Sequence, residues 1–417
     1  MSYYVRFLPA LVSAAVFLAV GLLCFCLSQR ALEHSRKELS WIKRHGAGGY
    51  AFDRRAFPGV KADWLGVFAV AVFALVTSMY CVVVHSLYLG GGGIRDQIAA
   101  RSPLVLGFSW LGKLFTARAL ASIAVSVCGA VAMYLLLQRL CGSTMISACG
   151  ALLSAASFVG KHTAGALLTV SLLLLVWWLN APRKPRWSAY ELLYYAACLA
   201  LTAAIAIAPS LLVFALLYVG FYLHRYLFAL RRDECSLGTL ILCFALSLLV
   251  WALMLVVFAA LRIFLSCGLS VRGFLALRRR FSVLRLFKLA LGSGVRAAFR
   301  PLLRSRILVP ALDAPLLGIG GFGAVSALLL LLRRKDARSK FVLPVLGAAL
   351  LAWVLSDASV LSVPLTLCAA LLFHNYLRGG RKLPVILLTV SGVLFYLVFY
   401  FLAHYLPLDA SLLARLS

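Results

Sequence analysis

The chain has 417 residues, of which 64% are hydrophobic and only 13% are charged, and its mean hydropathy is +1.01. Polar surface cannot cover that much apolar side chain in water, so the composition excludes an ordinary soluble domain and predicts a membrane protein. The 41 Lys and Arg residues outnumber the 12 Asp and Glu residues, which gives a formal charge of +29. These cations stand in short clusters between apolar runs and lack interleaved aromatic residues for base stacking, which argues against nucleic acid as a partner.

Twelve apolar runs of helical length follow one another along the chain. Because about 20 residues cross a hydrocarbon core of ~30 Å, each run predicts a membrane-crossing helix, and 145–159 is the weakest of them. The predicted fold class is therefore an all-α, polytopic transmembrane bundle of about 12 spans. The predicted spans are 7–27, 65–89, 119–137, 145–159, 164–179, 192–208, 211–228, 240–265, 316–332, 341–355, 360–373 and 385–404.

The spans divide the chain into three regions. Residues 1–64 form an N-terminal helix and a basic cytoplasmic loop, residues 65–404 form the transmembrane core with outer loops 90–118 and 266–312, and residues 405–417 form a tail. With 28–64 in the cytoplasm, 23 of the 41 Lys and Arg residues are cytoplasmic. Ten of the other 18 lie in 266–312, which leaves only eight in the remaining outer segments. The short loops therefore obey the positive-inside rule, with both termini outside.

The outer loop 266–312 predicts a helix that lies in the headgroup layer. Apolar residues recur there every three or four positions, and arginines stand between them. A membrane-surface anchor without chemistry is the alternative reading of the same pattern. The apolar residues are Leu277, Phe281, Leu284, Phe287 and Leu291.

The outer loop 90–118 carries the first candidate for chemistry. It opens with four glycines and continues with Ile94-Arg95-Asp96-Gln97 and Pro103-Leu104 before an apolar stretch. Asp96 lies in a substantial outer loop near the start of the core, so it is the candidate general base. The alternative is a solvated ion pair between Asp96 and Arg95.

The order of these features resembles the GT-C type of membrane glycosyltransferases, those like the dolichyl-phosphate-mannose mannosyltransferases. The likeness covers about 65–377 and is one of pattern. It departs from the family at Gln97 and in the turn 160–163, where acidic residues are common. The matching features are Asp96, Pro103-Leu104, Arg118, Arg139-Leu140-Cys141-Gly142, Arg183-Lys184-Pro185-Arg186, Pro209 and the outer segment 266–312.

The resemblance implies a transfer of sugar from a polyprenyl-phosphate donor to a lipid or glycan acceptor at the outer face. Asp96 would take the acceptor's proton, and cationic side chains would hold the lipid phosphate, since arginine binds phosphate oxygens bidentately. The predicted phosphate-binding residues are Arg278, Arg279, Arg280, Arg285, Arg296, Arg300, Lys161 and His162. No metal-ligand pattern or certain cofactor is present, and a divalent cation is left open.

Three other functions stay open at this stage: an oligosaccharide polymerase or ligase, a transporter or flippase of an anionic lipid, and a catalytically silent scaffold. The glycine-rich run 318–323 lies within an apolar span, which indicates a helix contact and not a nucleotide loop. The 11 cysteines form no C-x-x-C pair, so no zinc site or disulfide framework is predicted. No Asn-x-Ser/Thr site occurs, which favours a bacterial inner membrane as the location.

Overall fold

The computed structural model describes residues 63–88, 117–157, 163–180, 191–207, 209–231, 314–334, 337–355 and 361–405, together with five single residues between 238 and 249. These ranges are helical and contain no strand, which confirms the all-α prediction for them. The predicted span 7–27, most of 240–265, most of the outer loop 90–118 and the whole of 266–312 lie outside the described residues.

Ten of the twelve predicted runs coincide with helices of the described ranges, and 145–159, the weakest, is among them. The helices are α1 Trp64–Tyr88, α2 Ala117–Cys141, α3 Thr144–Ser157, α4 Thr163–Asn180, α5 Glu191–Ile207, the 3₁₀ turn Pro209–Leu212, α6 Val213–Arg231, α7 Ala314–Arg334, α8 Ala337–Leu355, α9 Ser362–Arg378 and α10 Leu383–Tyr405.

Three of these helices contain an apolar stretch long enough to cross a membrane. The stretches are Trp64–Val83 in α1, Ile123–Cys141 in α2 and Pro315–Leu332 in α7. The helices α3, α4, α5, α6 and α10 contain shorter apolar stretches within the described side chains. A count of 12 spans therefore stays a prediction.

Local sequence explains where several helices begin and end. Asp63 precedes α1, and its Oδ1 accepts a hydrogen bond from the backbone N–H of Leu65 at 3.2 Å, as an N-cap does. Gly142 ends α2 with a φ of 70°, and its N–H donates to the Gln138 carbonyl at 2.9 Å. A left-handed residue of this kind favours glycine, so the predicted basic turn 139–142 is a helix end that leads directly into α3.

The helices α3 and α9 lie at the centre of the bundle. The helix α3 packs against α1, α2, α9 and α10, and α9 packs against α2, α3, α4, α7, α8 and α10. Residues 362–373 of α9 are all buried. A helix that is apolar on every side needs a complete shell of neighbours, which explains the central place of α9.

The helices α7 and α9 approach each other closely through the glycine-rich run. A Cβ atom on Gly320 would lie 2.6 Å from the carbonyl oxygen of Leu365, and one on Gly323 would overlap the carbonyl group of Cys368. These two glycines are three residues apart and therefore lie on one face of α7. The interpretation of 318–323 as a helix contact is confirmed, because only small residues allow two backbones to approach this closely.

Side-chain contacts show which helix ends lie together. The Tyr134 ring, near the C-terminal end of α2, lies against Gly66 in the first turn of α1. Trp178 near the end of α4 bonds to Glu191 at the start of α5, and Arg338 at the start of α8 bonds to His374 near the end of α9. One end of the bundle therefore contains the C-terminal ends of α2, α4, α6, α7 and α9 and the N-terminal ends of α1, α3, α5, α8 and α10.

We call this the charged end. Of the Lys and Arg residues in the described ranges, all but Arg118 lie at this end, on helix termini or turns or, for Arg225, in the last two turns of α6. The two described acids, Asp63 and Glu191, also lie here. The cations are Arg139, Arg225, Arg231, Arg333, Arg334, Arg338, Lys340, Arg378, Arg381 and Lys382. The described part of the bundle thus has a charged end and an apolar middle.

Candidate functional site

The residues that the sequence predicts for chemistry lie outside the described residues. Their roles therefore stay predictions, and the described structure contributes only the helix ends that flank them. These residues are Asp96, Lys161, His162, Arg278, Arg279, Arg280, Arg285, Arg296 and Arg300.

Two of the segments that carry them connect helix ends on the side opposite the charged end. Residues 89–116, which include Asp96, follow the C-terminal end of α1 and precede the N-terminal end of α2. Residues 158–162, which include Lys161 and His162, follow α3 and precede α4. Both α1 and α3 begin at the charged end, so both segments start from the opposite end of the bundle.

The most polar buried site in the described ranges lies at the charged end, where α4, α5 and α6 meet. The indole nitrogen of Trp178 donates to Oε2 of Glu191 at 3.1 Å, and Glu191 is only 6% exposed. A carboxylate so far from water is costly unless its oxygens accept hydrogen bonds, so this contact offsets part of the desolvation of Glu191.

Arg225 brings α6 into the same site. Its side chain is only 4% exposed, its Nη1 donates to the backbone carbonyl of Trp178, and its guanidinium carbon lies 4.3 Å from the centre of the Trp178 ring. The carbonyl is one of the last in α4, where the helix carries partial negative charge, so a cation is favoured there. Stacking over the indole adds a cation–π attraction of about 0.5–2 kcal/mol.

Aromatic rings complete the contact between the three helices. Trp178 stacks on Tyr222 with ring centres 5.7 Å apart and an interplanar angle of 1°, and Tyr194 lies 4.7 Å from Trp178 and 4.9 Å from Tyr222. Further into the bundle, the hydroxyls of Ser171 and Tyr218 are 2.5 Å apart, and the Ser171 hydroxyl donates to the Ala197 carbonyl at 2.6 Å. Ser171 of α4 thus bonds to α5 through the Ala197 carbonyl and to α6 through Tyr218.

This site ties helices together. Arg225 and Glu191 both contact Trp178, and the shell around them is made of buried aromatic side chains and helix backbone. Within the described ranges, no three His, Cys, Asp or Glu side chains converge as metal ligands would. The arrangement therefore fixes the ends of α4, α5 and α6 relative to one another, and we assign it a positioning role.

The sequence analysis did not single out this site. Arg225 lies inside the predicted span 211–228, and the structure buries it within α6. The usable signal was the place of Arg225 inside the apolar run 211–228, because an ionisable residue within such a run needs a partner. Glu191, directly before the run 192–208, was the matching acidic residue.

Neither models of known protein families, nor curated protein sequences, nor solved structures match this chain.

Proposed function

We propose that the protein is a multi-pass integral membrane protein with its charged end at the cytoplasmic face. The described surface supports this placement, because large apolar side chains are exposed on helices all around the bundle. Trp64 and Phe68 of α1 are 76% and 71% exposed, and Leu216 of α6 is 76% exposed. Such a surface suits lipid and not water. Basic residues at one end then agree with the positive-inside rule.

We propose further that the protein transfers a sugar from a polyprenyl-phosphate donor to an acceptor at the outer face of a bacterial inner membrane. One observation carries this proposal beyond the sequence resemblance. The segments with Asp96 and with Lys161-His162 join helix ends opposite the charged end. With the charged end in the cytoplasm, both segments begin at the outer side of the bundle. One segment carries the proposed base, and the other carries two proposed phosphate-binding residues.

The proposed step divides the work between these groups. The acceptor hydroxyl attacks the anomeric carbon of the donor sugar, Asp96 takes the hydroxyl proton, and the bond from the anomeric carbon to the phosphate oxygen breaks. The phosphate leaves with the bonding electrons, and cations at its oxygens stabilise the added charge. Arg278–Arg280, Arg285, Arg296, Arg300, Lys161 and His162 are the proposed source of those cations.

The test compares lipid-linked and surface glycans by mass spectrometry in four strains. These are the intact strain, a deletion strain, and deletion strains that carry Asp96→Asn or the matched control Asp409→Asn from the C-terminal tail. We expect the deletion to remove a defined sugar, Asp409→Asn to restore it, and Asp96→Asn to leave it missing while the protein still reaches the membrane.

Other outcomes point to the other functions. Full restoration by Asp96→Asn would remove Asp96 as the base and favour a polymerase, a ligase or a silent scaffold. If the deletion leaves every glycan unchanged, sugar transfer is wrong for this protein, and transport of an anionic lipid becomes the function to measure.

A further inference from the structure

A second group of cations lies where α8 begins and α9 ends. Nη1 of Arg338 contacts Nε2 of His374, and His374 also lies within electrostatic range of Arg378, one helical turn further along α9. Nδ2 of Asn375, the next residue of α9 after His374, donates to Oγ of Ser326 in α7 at 2.5 Å. The end of α9 is thus in contact with both α7 and α8, and the cations Arg338 and Arg378 lie beside it.

The turn that follows α9 holds more cations in a fixed place. Gly380 has a φ of 73°, its N–H donates to the Leu377 carbonyl at 3.0 Å, and the N–H of Arg381 donates to the Tyr376 carbonyl at 3.0 Å. This pair of bonds is a Schellman motif, which satisfies the last carbonyls of a helix and fixes the chain direction. Arg378, Arg381 and Lys382 therefore lie within five residues of one another on an ordered turn.

An apolar stripe begins immediately after these cations. The exposed apolar residues of α10 form one face of the helix, because they are spaced three or four positions apart except for the adjacent pair Ile386 and Leu387. Leu383, at the start of the helix, is 67% exposed. The opposite face, which includes Val385 and Leu388, is buried against the bundle. The exposed stripe consists of Leu383, Ile386, Leu387, Val390, Leu394 and Val398.

We propose that this junction is a binding site for an anionic phospholipid. Arg378, Arg381 and Lys382 hold the phosphate of the headgroup, and an acyl chain lies along Leu383, Ile386 and Leu387. A phosphate beside this turn would accept charge-assisted hydrogen bonds from these side chains. Basic clusters at the cytoplasmic ends of transmembrane helices recognise anionic headgroups in this way.

The apolar stripe favours a lipid over a free phosphate. A soluble anion uses only the cations, whereas a phospholipid also covers the exposed face of α10, which starts one residue after Lys382. The proposal rests on the membrane placement proposed above. It is independent of sugar transfer, because the site lies at the end opposite the segments with Asp96 and Lys161.

The test uses the full-length protein in detergent, titrated with phosphatidylglycerol or phosphatidylcholine, with bound lipid counted by native mass spectrometry. We expect phosphatidylglycerol to bind more tightly. Arg378→Gln, Arg381→Gln and Lys382→Gln should each weaken it about fivefold, the factor that corresponds to about 1 kcal/mol for each cation near a headgroup. Arg139→Gln removes a cation at the same end of the bundle, on α2, and should leave the affinity unchanged.

Three results would overturn the proposal. They are equal binding of the two lipids, wild-type affinity in all three turn variants, and an equal loss in Arg139→Gln, which would indicate general surface charge. Inorganic phosphate and glycerol 3-phosphate serve as soluble competitors. If either displaces the lipid as effectively as phosphatidylglycerol does, the site binds a soluble anion. Equal melting temperatures of the variants exclude misfolding as the cause of a loss.

Discussion

The contact between α7 and α9 offers a prediction whose size follows from the geometry. In Gly323→Ala the new methyl group would occupy the space of the Cys368 carbonyl group. The neighbour is helix backbone, which no change of side-chain rotamer can move. The two helices must therefore separate, and enlarging a residue in a well-packed interior typically costs about 1–3 kcal/mol.

Gly321→Ala is the matched control for this substitution. It lies in the same helix two residues earlier, and a Cβ atom there would meet nothing within 4 Å. Both variants gain about 0.8–1 kcal/mol of helix propensity, because alanine favours the helix over glycine. That gain cancels in the comparison, so Gly323→Ala should be less stable than Gly321→Ala by the full packing cost.

Buried thiols allow the measurement. Five of the six described cysteines are buried and only Cys128 is exposed, so a fluorogenic thiol reagent reports unfolding as the detergent-solubilised protein is heated. We expect Gly321→Ala to melt at or above the wild-type temperature and Gly323→Ala to melt several degrees below it. Equal melting temperatures of the two variants would refute the close approach of α7 and α9.

Two further predictions concern the buried site and the membrane placement. Arg225→Met should lower the free energy of unfolding by about 2–4 kcal/mol, because it removes a charged hydrogen bond and a cation–π contact. The control Lys382→Met replaces an exposed cation and should change the free energy of unfolding little. Equal thermal stability of the two variants would contradict the positioning role of Arg225. Cys128 is exposed near the middle of α2. In a variant that keeps no other cysteine, it should react in intact membranes with neither an uncharged maleimide nor a charged thiol reagent, because the attacking species is the thiolate, which needs water, and it should react with both once a denaturing detergent dissolves the membrane. Modification by the charged reagent in intact membranes would place this part of α2 in water.

The positions of the described helices could be predicted from the sequence because apolar runs and their interruptions are local signals. The run 145–159 was the weakest on hydropathy, yet α3 is present at Thr144–Ser157. Its small residues, such as Ala151 and Ala155, suit a helix that is surrounded by other helices, where close approach matters more than side-chain size. The end of α2 at Gly142 follows from a local signal too, because the left-handed backbone that ends a helix favours glycine.

The buried site at the charged end could not be predicted, because it depends on contacts between residues distant in the sequence. Trp178 and Arg225 are separated by 47 positions, and the register that brings the guanidinium over the indole is set by the packing of α4, α5 and α6. Hydropathy shows only that Arg225 interrupts an apolar run. It does not show which carbonyl and which ring satisfy the charge.

The length of α3 bears on the proposed chemistry. Its 14 residues extend about 21 Å, whereas a hydrocarbon core is ~30 Å thick. In the proposed membrane placement, α3 begins at the cytoplasmic face and therefore ends below the outer surface, where its neighbours α1, α2, α9 and α10 shield it from lipid. The segment with Lys161 and His162 directly follows α3 in the chain. A phosphate bound near the end of α3, as the proposal requires, would therefore lie close to protein of low dielectric constant. Attraction between a phosphate and a cation is stronger in such surroundings than in water. A transferase would therefore stabilise its leaving phosphate more effectively there.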